Sequence, residues 1–304
     1  MFVEEYLQDL RRDRFAPGAL LLYARRMAQR ARGEMVANPG AVRSVWSLAL
    51  LFFAAAFLAA GALALRGERH LAYDFFLATS LGIVPAFALV TFFIGGLRDR
   101  EGYRLSALNV PIALTLLRAA LLPGVVMFLE ERQFGLAVAG YVLAALTDVA
   151  DGWIARRWGQ VTTLGTVLDP VVDIVFNFAI LGGLWAAGLL HGWVFWVAAA
   201  RYGVLLVGGA YLYIFVGPVR IQPTLFGRLT GVLMSGLVAL LMLLTLAPRT
   251  LTERLAPLTE IALGVLLIAT VGHVVALGWY NLRTMTGRVE GEGRVVGDVR
   301  WGAR

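Results

Sequence analysis

The sequence predicts an all-α polytopic membrane bundle, and two observations carry that prediction. The chain is 59% hydrophobic with only 15% charged residues, and its apolar runs reach the roughly 20 residues that a helix needs to cross a bilayer. The formal charge of +7 over 304 residues comes from Arg alone, since the sequence has no Lys. That charge falls mostly in loops and tails, where membrane topology and anionic lipid account for it without a nucleic-acid partner. With no Cys in the chain, disulfides and thiolate chemistry are excluded. The N-terminus lacks the short apolar core and small-residue cleavage site of a signal peptide.

Residues 1–42 read as an Arg-rich leader, in which Phe2, Tyr6, Leu10, Leu20, Leu21 and Tyr23 alternate with Arg11, Arg12, Arg14, Arg25, Arg26, Arg30 and Arg32. The pattern suits an interfacial helix pair broken at Pro17 and Gly18 and resting on anionic headgroups, or else a solvated tail. Eight hydrophobic spans follow, at about 44–65, 73–97, 108–129, 134–155, 164–189, 192–216, 225–247 and 258–280. Pro85, Pro111 and Pro123 fall within or at the ends of spans, where neighbouring helices must satisfy the freed carbonyls. Residues 43–100 hold two accessory spans whose expected role is packing, with anchoring or oligomer contacts as the alternatives. Residues 101–283 form the core, and 284–304 a polar tail.

If the helices alternate, the leader, the loop with Arg98, Arg100 and Arg104, the loop with Arg156 and Arg157, the loop with Arg220, and the tail share one side. The opposite side has Arg66, Arg69, Arg132, Arg249 and Arg254, offset by Glu68, Glu130, Glu131 and Glu253. The richer side is expected in the cytoplasm, with both termini.

One stretch departs from the apolar pattern. Between 144 and 175 the chain carries Asp148, Asp151, Asp169 and Asp173, and ionisable groups inside a membrane are tolerated mainly where they pair, bind ions or line a polar cavity. Spacings of three and four place Asp148 with Asp151 on one helical face, and Asp169 with Asp173 on another. Gln160, Thr162 and Thr163 lie in the short connector, which makes the two helices antiparallel neighbours, and Thr163 is positioned to cap the second. Two carboxylate pairs then face one another across a low dielectric, and the arrangement calls for cations. Oxygen ligands without Cys or a nearby His favour Mg²⁺, Mn²⁺ or Ca²⁺ over zinc or copper. Arg156 and Arg157 are the basic residues close by in sequence, too few to satisfy four acids as simple ion pairs.

The order Asp148, two residues, Asp151, Gly152, two residues, Ala155, Arg156, eight residues, Gly165, three residues, Asp169, three residues, Asp173 resembles the signature of the CDP-alcohol phosphotransferases. All eight signature positions are filled. The resemblance begins at Asn109 and implies a six-helix core preceded here by two extra transmembrane helices. It implies a phosphatidyl-type transfer from a CDP-linked lipid, such as CDP-diacylglycerol, to a small alcohol acceptor, with release of CMP. It implies two divalent ions, Mg²⁺ or Mn²⁺, on Asp148, Asp151 and Asp169, with Asp173 as general base and further ligand. Asn109, Thr115 and Arg118 in LNVPIALTLLR, together with Gly152, Ala155, Arg156 and Gly165, are the donor-binding positions by the same resemblance. Gly152 and Ala155 by composition alone would read as helix-packing residues. Arg118 lies well inside its span, so a buried polar contact is expected rather than snorkelling to an interface.

DGWIARRWGQVTTLGTVLDPVVD looks most like the phosphatidylglycerophosphate synthases, which points to glycerol 3-phosphate as acceptor, with Arg201, Arg220 and Arg228 as its binding residues. Tyr202, Gly209 and Ile174 depart from those enzymes, which tend to have Glu, Arg and Lys there. Inositol phosphate, serine or phosphatidylglycerol is the alternative acceptor. A divalent-cation transporter and a catalytically silent lipid-binding scaffold are the competing classes, and the accompanying Gly152, Ala155, Arg156 and Gly165 argue against the transporter. Membrane lipids and a second copy of the chain are the expected partners, in a cell (inner) membrane with the acids facing the cytoplasm. His191 and His273 stand outside the motif, and structural roles are expected for both.

Overall fold

Apolar helices in a bilayer gain nothing hydrophobic by meeting, so they associate where small residues allow close approach and where polar groups need partners. Both conditions shape this bundle. The computed structural model describes residues 7, 10–13, 15–216 and 225–292, side chains included except at 212, 228, 277 and 280–292. Nine α-helices run through the described residues: α1 (Pro17–Ala37), α2 (Pro39–Leu65), α3 (Arg69–Phe92), α4 (Val110–Glu130), α5 (Phe134–Arg157), α6 (Thr163–Ala186), α7 (Gly192–Tyr211), α8 (Leu225–Leu244) and α9 (Arg249–Glu292). A 3-10 turn at Ile94–Gly96 and a π-helix at Leu212–Val216 complete them. There is no strand among the described residues, only an isolated bridge between Arg98 and Arg104.

Helices α2 to α9 provide eight spans of membrane-crossing length and composition, so the protein is a multi-pass membrane protein. They match the eight expected runs but begin earlier in places, at Pro39 and Arg249 for the first and last. Hydropathy marks only the apolar part of a helix, whereas backbone hydrogen bonding continues into the polar first turn until a breaker intervenes. Pro in the first turn starts α1, α2 and α4, where its missing N–H costs nothing. Asn38 caps α2, accepting from the Ala41 N–H at 3.2 Å, and Asn109 caps α4, accepting from the Ile112 N–H at 3.3 Å. The cap of α6 is Thr162, whose hydroxyl accepts from the Gly165 N–H at 3.0 Å. Thr163, the expected cap, is instead the first helical residue, and its N–H donates to the Arg98 carbonyl at 3.0 Å.

Helix α4 is the pillar of the bundle. Of its most apolar window 61% is buried, against at most 39% in any other span, and it packs on α3, α5 and α6. Glycines make that possible. A Cβ added to Gly82 of α3 would come within 2.7 Å of Pro123, and one on Gly140 of α5 within 2.7 Å of Val125. The accessory helices are part of the same packing: Val45 of α2 and Ile83 and Phe87 of α3 share one buried cluster with Leu116 of α4 and Leu168 of α6. A second cluster joins α4, α5 and α6 to α7, α8 and α9 through residues such as Leu129, Ala144, Ile180, Val194, Met242 and Leu263.

The leader is held against this bundle at both ends. Pro17, expected to break it, begins α1. Ahead of α1, the Arg11 guanidinium donates to the carbonyls of Ile214 at 2.6 Å and Tyr213 at 2.5 Å, in the π segment. Phe15 packs against Phe215 in a tilted pair with centroids 4.8 Å apart. At the other end of α1, Glu34 is 4% exposed and accepts from Arg104 at 2.7 Å, with Arg30 at 3.2 Å and Arg98 at 3.6 Å. One buried carboxylate thus gathers three guanidinium groups and fixes α1 on the 94–105 loop.

Glu34→Ala removes that common acceptor from three partly exposed guanidinium groups. The expected loss is about 1.5–3 kcal/mol, the range for a hydrogen bond to a charged group. It is read as a lower melting temperature of the detergent-solubilised protein, and an unchanged melting curve contradicts the bracing role.

Candidate active site

The four aspartates lie at one depth because of where their helices start and stop. At about 1.5 Å per residue, Asp151 and Asp148 sit roughly 9 and 14 Å back from the end of α5 at Arg157, and Asp169 and Asp173 roughly 9 and 15 Å into α6 from Thr163. Thr115 and Arg118, about 8 and 12 Å into α4 from Val110 by the same rise, occupy the matching layer. Antiparallel packing therefore brings six polar side chains from three helices to one level.

Within that layer the contacts are specific. The Thr115 hydroxyl lies 2.8 Å from an Asp169 carboxylate oxygen and 3.3 Å from one of Asp151, so it bridges α5 and α6 from α4. The Arg118 guanidinium, 2% exposed, is in the midst of the acids: Nη1 contacts Asp148, and Nη2 lies 3.0 Å from Asp173 and 3.4 Å from Asp151. Exposure is graded across the cluster. Thr115 and the Asp151 side chain are shut in, at 0% and 8%, while the Asp148 and Asp173 side chains are about half open, at 51% and 46%. The site thus has a dry floor and an accessible mouth.

Four carboxylates around one guanidinium leave negative charge unbalanced in a low dielectric, and an all-oxygen donor set is the kind that Mg²⁺ or Mn²⁺ accepts. The chemistry of the donors fits a divalent ion. As the side chains are arranged, among the described residues no three His, Asp or Glu stand together as a ready ligand cluster, and Arg118 contacts three of the four acids.

The remaining expected site residues fall into three groups. Asn109 and Gly165 are adjacent to the acids but structurally engaged. The Asn109 amide donates to the Gln160 carbonyl at 2.6 Å while its oxygen caps α4, and a Cβ on Gly165 would meet Thr162 at 3.1 Å and Asp169 at 3.9 Å. Gly152, Ala155 and Arg156 lie on α5 below Asp151, with the exposed Arg156 guanidinium folded back so that a Cβ on Gly152 would meet it at 3.2 Å. The expected acceptor residues form the third group. Arg201 in α7 lies over its neighbour Tyr202, 4.8 Å from guanidinium carbon to ring centroid, and its Nε is buried without a hydrogen-bond partner. Tyr202 in turn is within electrostatic reach of Asp173. Arg220 lies outside the described residues, as does the side chain of Arg228. Of the two histidines, His191 pairs with Glu260 at 2.5 Å and His273 packs on Phe226 with centroids 4.8 Å apart.

Sequence reasoning gave Arg118 a buried polar contact but missed that it meets three of the four acids, and it missed the Thr115 bridge. The signal was present in the spacing: Thr115 and Arg118, three residues apart, share one face of a helix that is otherwise apolar from Val110 to Leu129.

The model of the CDP-alcohol phosphatidyltransferase family matches residues 108–277, more than half of the chain, and begins where α4 does. The chain belongs to that family. Among curated relatives, it is 30% identical over 130 residues to a CDP-diacylglycerol–glycerol-3-phosphate 3-phosphatidyltransferase of Aquifex aeolicus, covering 42% of this chain and 72% of that one. It is 41% identical over 96 residues to the enzyme of the same name from Sodalis glossinidius, covering 31% and 52%. It is also 33% identical over 106 residues to a cardiolipin synthase (CMP-forming) of Streptomyces coelicolor, covering 33% and 49%. The chain thus spans 72% of the first relative and about half of the other two. Family membership makes it a transferase of the class that builds phospholipids, and divalent-metal use belongs to that class in general.

Thr115→Val keeps the shape of the side chain and deletes the hydroxyl that ties Asp169 and Asp151 to α4. Loss of a hydrogen bond to a buried carboxylate should cost about 1.5–3 kcal/mol, whereas Thr115→Ser should keep most of it. Thermal melts of the two variants check this, and equal losses would assign the effect to packing rather than to the hydroxyl.

Proposed function

We propose that this transferase moves a phosphatidyl group from a CDP-linked lipid to glycerol 3-phosphate, forming a phosphatidylglycerol phosphate and releasing CMP. The observation that carries the reading is the convergence of Asp148, Asp151, Asp169 and Asp173 on one layer that is dry at Asp151 and open at Asp148 and Asp173. In this reading Asp148, Asp151 and Asp169, with Asp173 on the open side, hold two divalent ions, Mg²⁺ or Mn²⁺. When bound, the ions supply charge neutralisation of the pyrophosphate and of the attacking and leaving oxygens.

The chain's own residues do the rest. Thr115 sets the distance between α5 and α6, so the carboxylates are oriented before substrate arrives, and such preorganisation is what makes electrostatic catalysis effective. Asp173 takes the proton from the acceptor hydroxyl as its oxygen forms a bond to the β-phosphorus. The bond from that phosphorus to the bridging oxygen breaks in the same displacement, and CMP leaves with the electron pair. Its 46% side-chain exposure gives Asp173 the access to the mouth that this role needs. Gly152 and Ala155 leave room for the nucleotide along α5. Asn109, Arg118, Arg156 and Gly165 complete the donor site, and Arg156 is free to meet a phosphate bidentately.

Arg201, Arg220 and Arg228 bind the acceptor's phosphate in this reading. Support comes from the idle buried Nε of Arg201, since an unpaired buried donor is costly and calls for an acceptor, and from the activity for which the relatives from Aquifex aeolicus and Sodalis glossinidius are named. The cardiolipin synthase relative keeps phosphatidylglycerol as the second acceptor to test. The Arg-rich leader, the 94–105 loop and the α5–α6 connector meet on one face through Glu34, Arg98 and Thr163. That face is the cytoplasmic one under the positive-inside rule, in an inner membrane, with membrane lipids and a second copy of the chain as further neighbours.

Purified protein incubated with CDP-diacylglycerol, Mn²⁺ or Mg²⁺ and a panel of alcohols should release CMP fastest with glycerol 3-phosphate. Faster release with phosphatidylglycerol, inositol phosphate or serine rejects this acceptor. Replacing Arg201 or Arg228 by Ala should raise the KM for glycerol 3-phosphate about 10- to 100-fold, the equivalent of one charge-assisted hydrogen bond, and leave the donor KM nearly unchanged.

Asp173→Asn should lower turnover by about 10²–10⁴-fold, the usual weight of a general base, while CMP still binds. Turnover within a few-fold of the parent excludes Asp173 as the base.

A further inference from the structure

Arg118 is the one cation in contact with the acid cluster among the described residues, and its geometry differs from that of a purely structural buried arginine. A structural guanidinium in a low dielectric is stable when all its donors are satisfied, commonly with two parallel bonds to one carboxylate. Here Nη1 and Nη2 are spread over three carboxylates from two helices, Asp148 and Asp151 of α5 and Asp173 of α6. The third donor, Nε, is buried with no partner. The group is thus permanently charged, central to the acids and incompletely bonded. Its Nη2 oxygen neighbours stand at 3.0 and 3.4 Å, whereas a Mg²⁺ ion draws its oxygen ligands to about 2.0–2.1 Å. At Asp151 and Asp173 the guanidinium therefore holds the carboxylate oxygens at a looser spacing than an ion would impose.

We infer that Arg118 is a tethered counter-ion, which lets the four-acid layer fold without metal and competes with divalent ions for Asp148, Asp151 and Asp173. The inference rests on the metal-dependent reading above but concerns the residue that opposes the metal. Without a positive charge at this point, four carboxylates would repel one another across α5 and α6. With it, the helices dock, and the first ion must displace a guanidinium before it can take up its ligands. The donor's phosphates supply the displaced group with a new partner, because phosphate oxygens receive guanidinium donors as well as carboxylates do. Ion loading and nucleotide binding are coupled in consequence, and a free ion binds weakly until the nucleotide is present.

The experiment uses the full chain in detergent and compares the parent with Arg118→Gln and Arg118→Lys. Mn²⁺ alone and Mn²⁺ with CMP are the probes, and free Mn²⁺ is counted by electron paramagnetic resonance. Melting curves are recorded in EDTA and in Mn²⁺. The parent should melt at nearly the same temperature in both. Arg118→Gln should bind Mn²⁺ without nucleotide at least tenfold more tightly than the parent and should require Mn²⁺ for its full melting temperature, while Arg118→Lys restores metal-independent stability. If Arg118→Gln binds Mn²⁺ no better than the parent, or melts alike in EDTA and Mn²⁺, the counter-ion role is wrong. Failure of Arg118→Gln to fold even when prepared in Mn²⁺ overturns it too, since an ion would not then replace the guanidinium. Absence of Mn²⁺ binding by the parent in the presence of CMP defeats the metal-dependent reading itself, and the inference falls with it.

Discussion

The structure depends on a charge pairing made inside a membrane. Three of the four carboxylates on α5 and α6 meet the guanidinium of Arg118 on α4, and each of these groups would be costly there alone. That requirement explains why α4 is the most enclosed span. A charged group is expensive against lipid, and the helix that carries Arg118 is kept from it by packing on α3, α5 and α6. Close approach is then a matter of volume, and the glycines at 82, 124, 140 and 183 provide it where α4 meets its neighbours.

The layer is also held from its cytoplasm-proposed end by a set of polar links. Glu34 gathers Arg98 and Arg104, the Arg98 carbonyl receives the first N–H of α6, and Asn109 ties the start of α4 to the α5–α6 connector at Gln160. Helix α1, outside the region matched by the family, is thereby linked through the 94–105 loop to the helix that carries Asp169 and Asp173. Helices whose ends are fixed in this way hold their carboxylates at set positions relative to one another. The family match covers residues 108–277, yet α2 and α3 share a buried cluster with α4 and α6. In this chain the accessory helices and the family region are one packed body.

Much of this was legible in the sequence. Eight spans follow from composition because a bilayer forces the backbone to satisfy its own hydrogen bonds, so an apolar run of sufficient length is a helix. The acids of each pair share a face because three- and four-residue spacings do so on any helix. The order of Asp148, Asp151, Gly152, Ala155, Arg156, Gly165, Asp169 and Asp173 was enough to suggest the family that the match over 108–277 establishes.

Other features depend on groups far apart in the chain. That Arg118 meets Asp148, Asp151 and Asp173, and Thr115 joins Asp151 to Asp169, was set by the packing of α4 against α5 and α6. Spacing within each helix fixes a face but not which face it opposes. The leader was open between an interfacial helix and a solvated tail for the same reason: its docking hangs on Glu34 finding Arg98 and Arg104 about 70 residues away. The cap of α6 is Thr162 and not Thr163, because the backbone is still extended at Thr162 and turns helical at Thr163, where the N–H meets the Arg98 carbonyl of another loop. Local periodicity and a bilayer's demand for internal hydrogen bonding determined the helices and their polar faces. Only the tertiary structure decided which charges neutralise which, because electrostatic pairing in a low dielectric acts through space and takes no account of sequence separation.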